Sequence, residues 1–509
     1  MVKEKLRRKV KRLLSLVLSM IVFPAITHAS GDKSNKPIDS PITAFTHANI
    51  LEPSVELPIL NATILVAEGK ILKIQPHSAP IPHRANVKEL GGKWVIPGLI
   101  DGHVHLAQSG GAFTRPDVID ATKIVPYKEE QTWLLNNQEE ILKEYVKLGI
   151  TSIVDLGGPS EYTSQYKSFS MNAELPQIYF SGPLLSPMEM PQLNANGFTF
   201  LQVKNKEEAV NAVYQQLKLG AHILKVVWSQ ETGLSSQQLA DLYKPAIKIA
   251  KDNKLVVAIH VEELDNAKKA VEVGADILVH GALKEHVDNE LISLMRKHDV
   301  TYMPTLTAYQ HYFEFFKGTL SFSQFEQMHS VDEVIQSFEE LSKNQSKADQ
   351  MFQIFLKYMP YVDEHEDVIS NLTQQEQGIV SQLRKVFSSK YLDIQKQNLK
   401  KLVESSVKVS LGTDAGNIGT LHASSLLGEV EAWQAAGVSN KDILKAITSG
   451  NASAFHLDKV IGSISTGKQA DFVVLEANPY EDITTLSQPV LVVKNGVPVF
   501  SREQKDRQP

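Results

Sequence analysis

The run AHILKVVW, Ala221–Trp228, decides how this chain is read. Its length, its valines and its continuous apolar character predict a buried β-strand. Lys225 sits in the middle of it. Lysine is among the residues least often buried, and an unpaired buried ammonium costs several kcal/mol or gives up its proton. A strand that carries such a residue has a use for it.

Working outward, the same texture recurs. PGLIDGHVHL (97–106), ITSIVDLGG (150–158), QIYFSGPLL (177–185), LVVAIH (255–260), DILVHG (276–281), VTYMPTL (300–306) and VKVSLGTD (407–414) read as strands. Amphipathic segments such as EEAVNAVYQQLKLGA (207–221) and NAKKAVEVGA (266–275) separate most of them. Eight strands with helical connections predict an α/β chain folded as a parallel (β/α)8 barrel. The connection from about Ala308 to Lys401 is too long for one barrel helix. It is rich in Gln, Glu, Lys and Phe and reads as a helical insertion.

The flanks differ. ATILVAEGKILKI (62–74) reads as a hairpin turning at Glu68-Gly69, and LVVKNGVPVF (491–500) as one turning at Asn495-Gly496. ADFVVLEA (470–477) reads as a further strand. The expectation is a small β-sandwich built from both chain ends, 42–97 with 461–503, around a barrel spanning 98–460. Residues 30–41 read as a linker. At the start, the basic MVKEKLRRKVKR precedes the apolar LLSLVLSMIVF and the small residues Thr27, Ala29 and Ser30. That order is a secretory signal peptide over 1–29, so a periplasmic or secreted location is expected. An uncleaved anchor is the other reading, but the apolar run is shorter than the roughly 20 residues of a spanning helix.

The formal net charge of −6 becomes −12 once seven basic residues and one acidic residue leave with the leader. An acidic surface argues against nucleic acid or anionic lipid as partner. With no cysteine, a metal can be held only by nitrogen and oxygen, which suits zinc, manganese, iron or cobalt.

Polar residues fall where the predicted strands end. His103 and His105 close one strand, His260, His280 and Asp414 close three others, and Lys225 lies within a fifth. The C-terminal ends of parallel barrel strands form the catalytic face. Residues two apart share a strand face, so His103 and His105 point the same way. Each has a plainer reading alone: a histidine hydrogen-bonded in the core, an Asx turn in LGTDAG, a lysine reaching for solvent. Together, in barrel order, they describe one site.

These residues, with VIPGLIDGHVHL and LGTDAG, resemble the metal-dependent amidohydrolase superfamily. Within it the chain is most similar to the imidazolonepropionase-like branch that includes Xaa-Pro dipeptidases, through GPLL, HVE, PTLTAY and the insertion before the eighth strand. The resemblance implies two divalent metal ions, with Zn2+ the expected one. His103, His105 and Asp414 would hold the buried metal and His260 and His280 the more exposed one. Lys225, carboxylated by CO2, would bridge them with a hydroxide. That hydroxide would attack an amide of a small substrate, a dipeptide or an N-acyl or cyclic amide, with Asp414 as general base and then acid. Tyr309 would donate a hydrogen bond to the carbonyl oxygen, or simply pack. The chain departs from many relatives after GPLL, where SPMEMPQLNANGF replaces a Gly-Gly-His segment. Met188 and Met190 of this segment become candidate wall residues. A second reading is a mononuclear deaminase, because His260-Val-Glu-Glu263 has the His-x-x-Glu spacing that places Glu263 as proton carrier. Glu262 and Glu263 also suit a helix start. A non-catalytic binding protein predicts missing ligands, and none is missing. Homo-oligomer formation stays open, with YQHYFEFF (309–316) able to serve a lid, an interface or plain packing.

Overall fold

The computed structural model describes residues 41–502. The leader read over 1–29 lies outside the described residues, as does the linker apart from Pro41. Among the described residues no helix is long and apolar enough to cross a membrane.

The chain ends meet in one eight-stranded mixed sheet. Thr43–Ile50, Ile59–Ala67, Lys70–Pro76, Asn86–Glu89 and Trp94–Pro97 supply five strands, and Phe472–Leu475, Leu491–Lys494 and Val497–Ser501 the other three. The join is antiparallel, with Ile96 opposite Val473. Both hairpin turns have left-handed residues at their two central positions, Glu68-Gly69 and Asn495-Gly496. That is the twist-matching turn which asparagine and glycine favour. The expected sandwich takes the form of a single ladder that folds back on itself: Ala470 N–H donates to Gly69 O at 2.8 Å, and Ile71 N–H to Lys468 O at 2.9 Å. Phe45 meets Phe472 edge to face, 4.9 Å between centroids.

Between these ends lie two parallel ladders. Leu99–Val104, Ile150–Asp155 and Gln177–Phe180 form one; Phe200–Gln202, Leu184–Ser186, Ile223–Val227, Val256–Val261, Ile277–His280, Thr301–Met303 and Lys408–Val409 form the other. The segment QIYFSGPLL is thus shared between them. It breaks at Gly182, which is left-handed at φ +73, just before Pro183, which has no N–H for a ladder. At the other seam Gly102 N–H donates to Leu411 O at 3.1 Å and Asp414 N–H to His103 O at 2.8 Å. A Cβ on Gly412 would lie 2.5 Å from the His103 Cβ. The glycine of LGTD lets the segment carrying Asp414 lie directly against the strand carrying His103.

The insertion is helical throughout its main segments: Leu306–Lys317, Asp332–Lys343, Gln350–Tyr358, Gln374–Val386 and Ser389–Glu404, with shorter turns between. It has its own core. Phe315, Phe316, Phe352 and Val380 pack together with Phe113 and Ile119, which come from the loop after the first parallel strand.

Candidate metal centre and active site

Lys225 lies in the buried strand Ile223–Val227 and is only 2% exposed. Its Nζ is 3.5 Å from His103 Nε2. Among the described residues no carboxylate comes within ion-pair distance of it. Burial therefore pulls its pKa down to about 8.

The first strand supplies His103 and His105, whose Nε2 atoms are 3.2 Å apart. Asp414 brings its Oδ1 to 3.2 Å from His103 Nε2 and 3.1 Å from His105 Nε2. The carboxylate of Asp101 steadies this corner by accepting from His103 N–H (3.2 Å), Thr413 N–H (3.1 Å) and the Thr413 hydroxyl (2.7 Å). Two outer nitrogens are held too, while the buried Nδ1 of His103 makes no hydrogen bond among the described residues. His105 Nδ1 is 3.0 Å from Gly157 O, and His280 Nδ1 is 2.6 Å from Thr305 Oγ1. A carbonyl accepts only, so His105 carries its proton on Nδ1 and turns a lone pair inward from Nε2.

His103, His280 and Asp414 offer ligand atoms all within 4.8 Å of one another and could hold a metal ion. Asp414 Oδ1, buried, makes no hydrogen bond among the described residues. Lone pairs crowded together in this way are stable when a cation sits among them, and two imidazoles with a carboxylate form a suitable donor set, with Thr305 behind His280 as a second partner. The titration follows the same crowding. Burial, with the neighbouring His260, takes His280 down to about 3. Burial alone would raise Asp414, but the His103 and His105 rings outweigh it and hold the carboxyl well below its usual range. His280 and Asp414 both have left-handed backbones, φ 65 and 62. Such conformations are uncommon for residues other than glycine and concentrate at functional sites.

A cavity of about 350 Å3 opens here, lined by His105, Lys225, His260, His280 and Asp414 but not by His103, which lies behind them. Met188, Met190 and Phe200 form one wall. The insertion forms another, through Tyr309, Tyr312, Phe316 and Phe387. Tyr309 is thus at the cavity, but its hydroxyl donates to Val386 O (3.0 Å) and accepts from Ser388 N–H (3.1 Å). As it stands the proton expected for a substrate carbonyl is committed to the insertion.

Glu263 does not reach the cavity. It precedes helix Leu264–Val273, and its carboxylate accepts from Gln230 N–H at 3.3 Å and Asn266 Nδ2 at 2.6 Å. The proton carrier expected for a deaminase is therefore turned away. Strand alternation is the reason: Glu262, two residues from His260, shares its face, and Glu263 does not. Glu262 lines the cavity, with Oε1 3.4 Å from His260 Nε2. Burial would raise its pKa, but the His260 ring outweighs this and brings it to about 2.

Several cavity residues carried no sequence signal. Arg115 is already neutralised by Asp117, at 2.8 and 2.6 Å, and donates to Asn417 Oδ1 at 2.6 Å. Glu231 and Lys284 also face the cavity. Lys284 makes no ion pair among the described residues. Buried Glu429 accepts from Leu306 N–H and Thr307 N–H, both at 2.8 Å, and so anchors the start of the helix that carries Tyr309.

Parallel strands with histidine and aspartate donors gathered at their ends, able to hold a metal ion, define a metal-binding α/β protein. The amidohydrolase family profile matches residues 94–499, and the chain belongs to that family. Members act as hydrolases on carbon–nitrogen bonds of small molecules. A solved Xaa-Pro dipeptidase with bound methionine in its active site is 19% identical, with TM-score 0.63, covering 90% of this chain and 99% of that one. Aspergillus niger ochratoxinase is 18% identical, with TM-score 0.63, covering 91% of this chain and 96% of that one. A 5-methylthioadenosine/S-adenosylhomocysteine deaminase of Bacillus thuringiensis is 22% identical over 296 residues, 51% of this chain and 62% of that protein. The chain aligns with less than two thirds of the length of the first curated relatives it matches.

Proposed function

We propose that this protein is an exported binuclear metallohydrolase that cleaves an amide bond in a small substrate, a dipeptide or a similar amide with an apolar group. The observation that carries the reading is Lys225: a buried amine with no carboxylate partner, 3.5 Å from a histidine nitrogen, beside four imidazoles and Asp414. An amine whose pKa is drawn down to about 8 is partly neutral near pH 7. A neutral amine forms a carbamate with CO2: the N–C bond forms, one N–H proton leaves, and the product is an anion able to bridge two cations.

In this reading His103, His105 and Asp414 would hold one metal, and His260 and His280 the other, with carboxylated Lys225 as a ligand shared by both. Two bound Zn2+ ions would supply Lewis acidity, polarising the amide carbonyl and making water more acidic. The protein does the rest. Gly157 and Thr305 fix the His105 and His280 rings. Asp414 accepts the proton of the attacking water and passes it to the departing nitrogen, which leaves as the neutral amine. Met188, Met190 and Phe200 receive the apolar group, and a cavity of about 350 Å3 suits a small ligand.

Elemental analysis of protein purified without chelator, followed by a dipeptide panel read by amine release, tests this. Two metals per chain and cleavage of at least one apolar dipeptide are expected. One metal per chain with ammonia released from an aminopurine would replace it with deamination.

A further inference from the structure

The geometry points to Glu262 as a further ligand of the more exposed metal, an inference that rests on the binuclear reading above. The strand Val256–Val261 ends by placing His260 and Glu262 on one face, and both line the cavity. His260 Nε2 and Glu262 Oε1 are 3.4 Å apart. Nitrogen and oxygen bound to one tetrahedral zinc, at about 2.0–2.2 Å each, lie about 3.3–3.6 Å from one another. The three donors read at the buried corner have nearly the same spacing, 3.1–3.2 Å between the Nε2 atoms and Asp414 Oδ1.

Nothing else claims the Glu262 carboxylate. Among the described residues His260 is its only side-chain partner. Lys284 faces the same cavity without closing to ion-pair distance, and the nearby Glu231 adds negative charge rather than relieving it. Two carboxylates facing one cavity beside an imidazole attract a cation. The charge balance agrees. His260 and His280 are both neutral ligands when they bind metal, so a divalent ion held by them and half a bridging carbamate keeps most of its charge. One carboxylate removes a full unit. A site with its own carboxylate also keeps its metal in an exposed position where water competes for it.

The test is Co2+ loading of the full chain, read by metal per chain, by chelator competition and by the visible spectrum of the loaded protein. The variants are Glu262→Gln and Glu262→Asp, each checked for folding by circular dichroism. Wild type should bind two Co2+. E262Q should keep the first at wild-type affinity, bind the second at least tenfold more weakly, and lose part of the visible absorption. E262D should recover part of both. E262Q that binds both ions with wild-type affinity and spectrum overturns the assignment and leaves the binuclear reading standing. Wild type that binds fewer than two overturns both.

Discussion

Replacing Lys225 by methionine should stabilise the metal-free protein at neutral pH. Methionine has similar length and no charge, so it fills the same space without a buried ammonium. The size of the effect follows from burial. An amine shifted from 10.5 to about 8 resists protonation in the fold by about 3 kcal/mol at pH 7. Between about 8 and 10.5 the unfolded chain binds the proton and the folded chain does not, so wild-type stability climbs with pH through that window. Below about 8 the whole cost is present; by pH 10 less than about 1 kcal/mol remains. A chain of 509 residues unfolds with an entropy of about 1 kcal/mol/K, so about 3 kcal/mol is roughly 3 °C in Tm. The assay is thermal melting in chelator at pH 7 and pH 10. K225M should melt about 3 °C higher at pH 7 and nearly level at pH 10. With metal added the order should reverse, because only wild type gains a bridging ligand. A K225M protein that is no more stable at pH 7, or whose advantage does not change with pH, refutes the reasoning.

Asp414→Asn keeps the shape but removes the proton acceptor and one charged ligand; kcat on a cleaved dipeptide should fall at least about 10³-fold while the melting curve stays cooperative. Tyr309→Phe removes two hydrogen bonds to the insertion, each worth about 1 kcal/mol. Its Tm should drop by about 1–2 °C, and kcat should stay within about threefold if the hydroxyl only fastens the 386–388 segment; a loss of 10² or more would return it to the carbonyl. Met188→Gly with Met190→Gly should raise KM for substrates with bulky apolar groups at least tenfold and leave a glycine-containing substrate little changed, as a substrate panel would show. Chelation should abolish hydrolysis, and Zn2+ should restore it.

The strands and the meeting place of the polar groups were legible because both depend on short local patterns. An apolar run ending in histidine or aspartate declares its own direction, and parallel strands bring such ends together. The break in QIYFSGPLL was not legible, although Gly182-Pro183 marks it: a glycine and proline can end a strand or merely bend it, and the neighbours decide. The choice between Glu262 and Glu263 turned on where the strand stops and the helix begins, a boundary that composition leaves open by a residue or two. Arg115 gave no sign in the sequence of lying at the cavity, and Asp117 two residues on gave none of wrapping back onto it. The distant partners, Glu429 with Leu306 and Tyr309 with Val386, depend on how the insertion folds back, which no local pattern encodes.

The sheet that joins the two ends of the chain sets a clock. Trp94–Pro97 pairs with Phe472–Leu475, and about 375 residues of chain separate them. At about 5–20 residues per second, synthesis takes about 20–75 s to deliver the partner strand. During that interval the early strands present an open edge and an incomplete apolar face. A chain so connected cannot complete this sheet until the segment around Phe472 has emerged, so the early strands wait unpaired at that edge for most of synthesis.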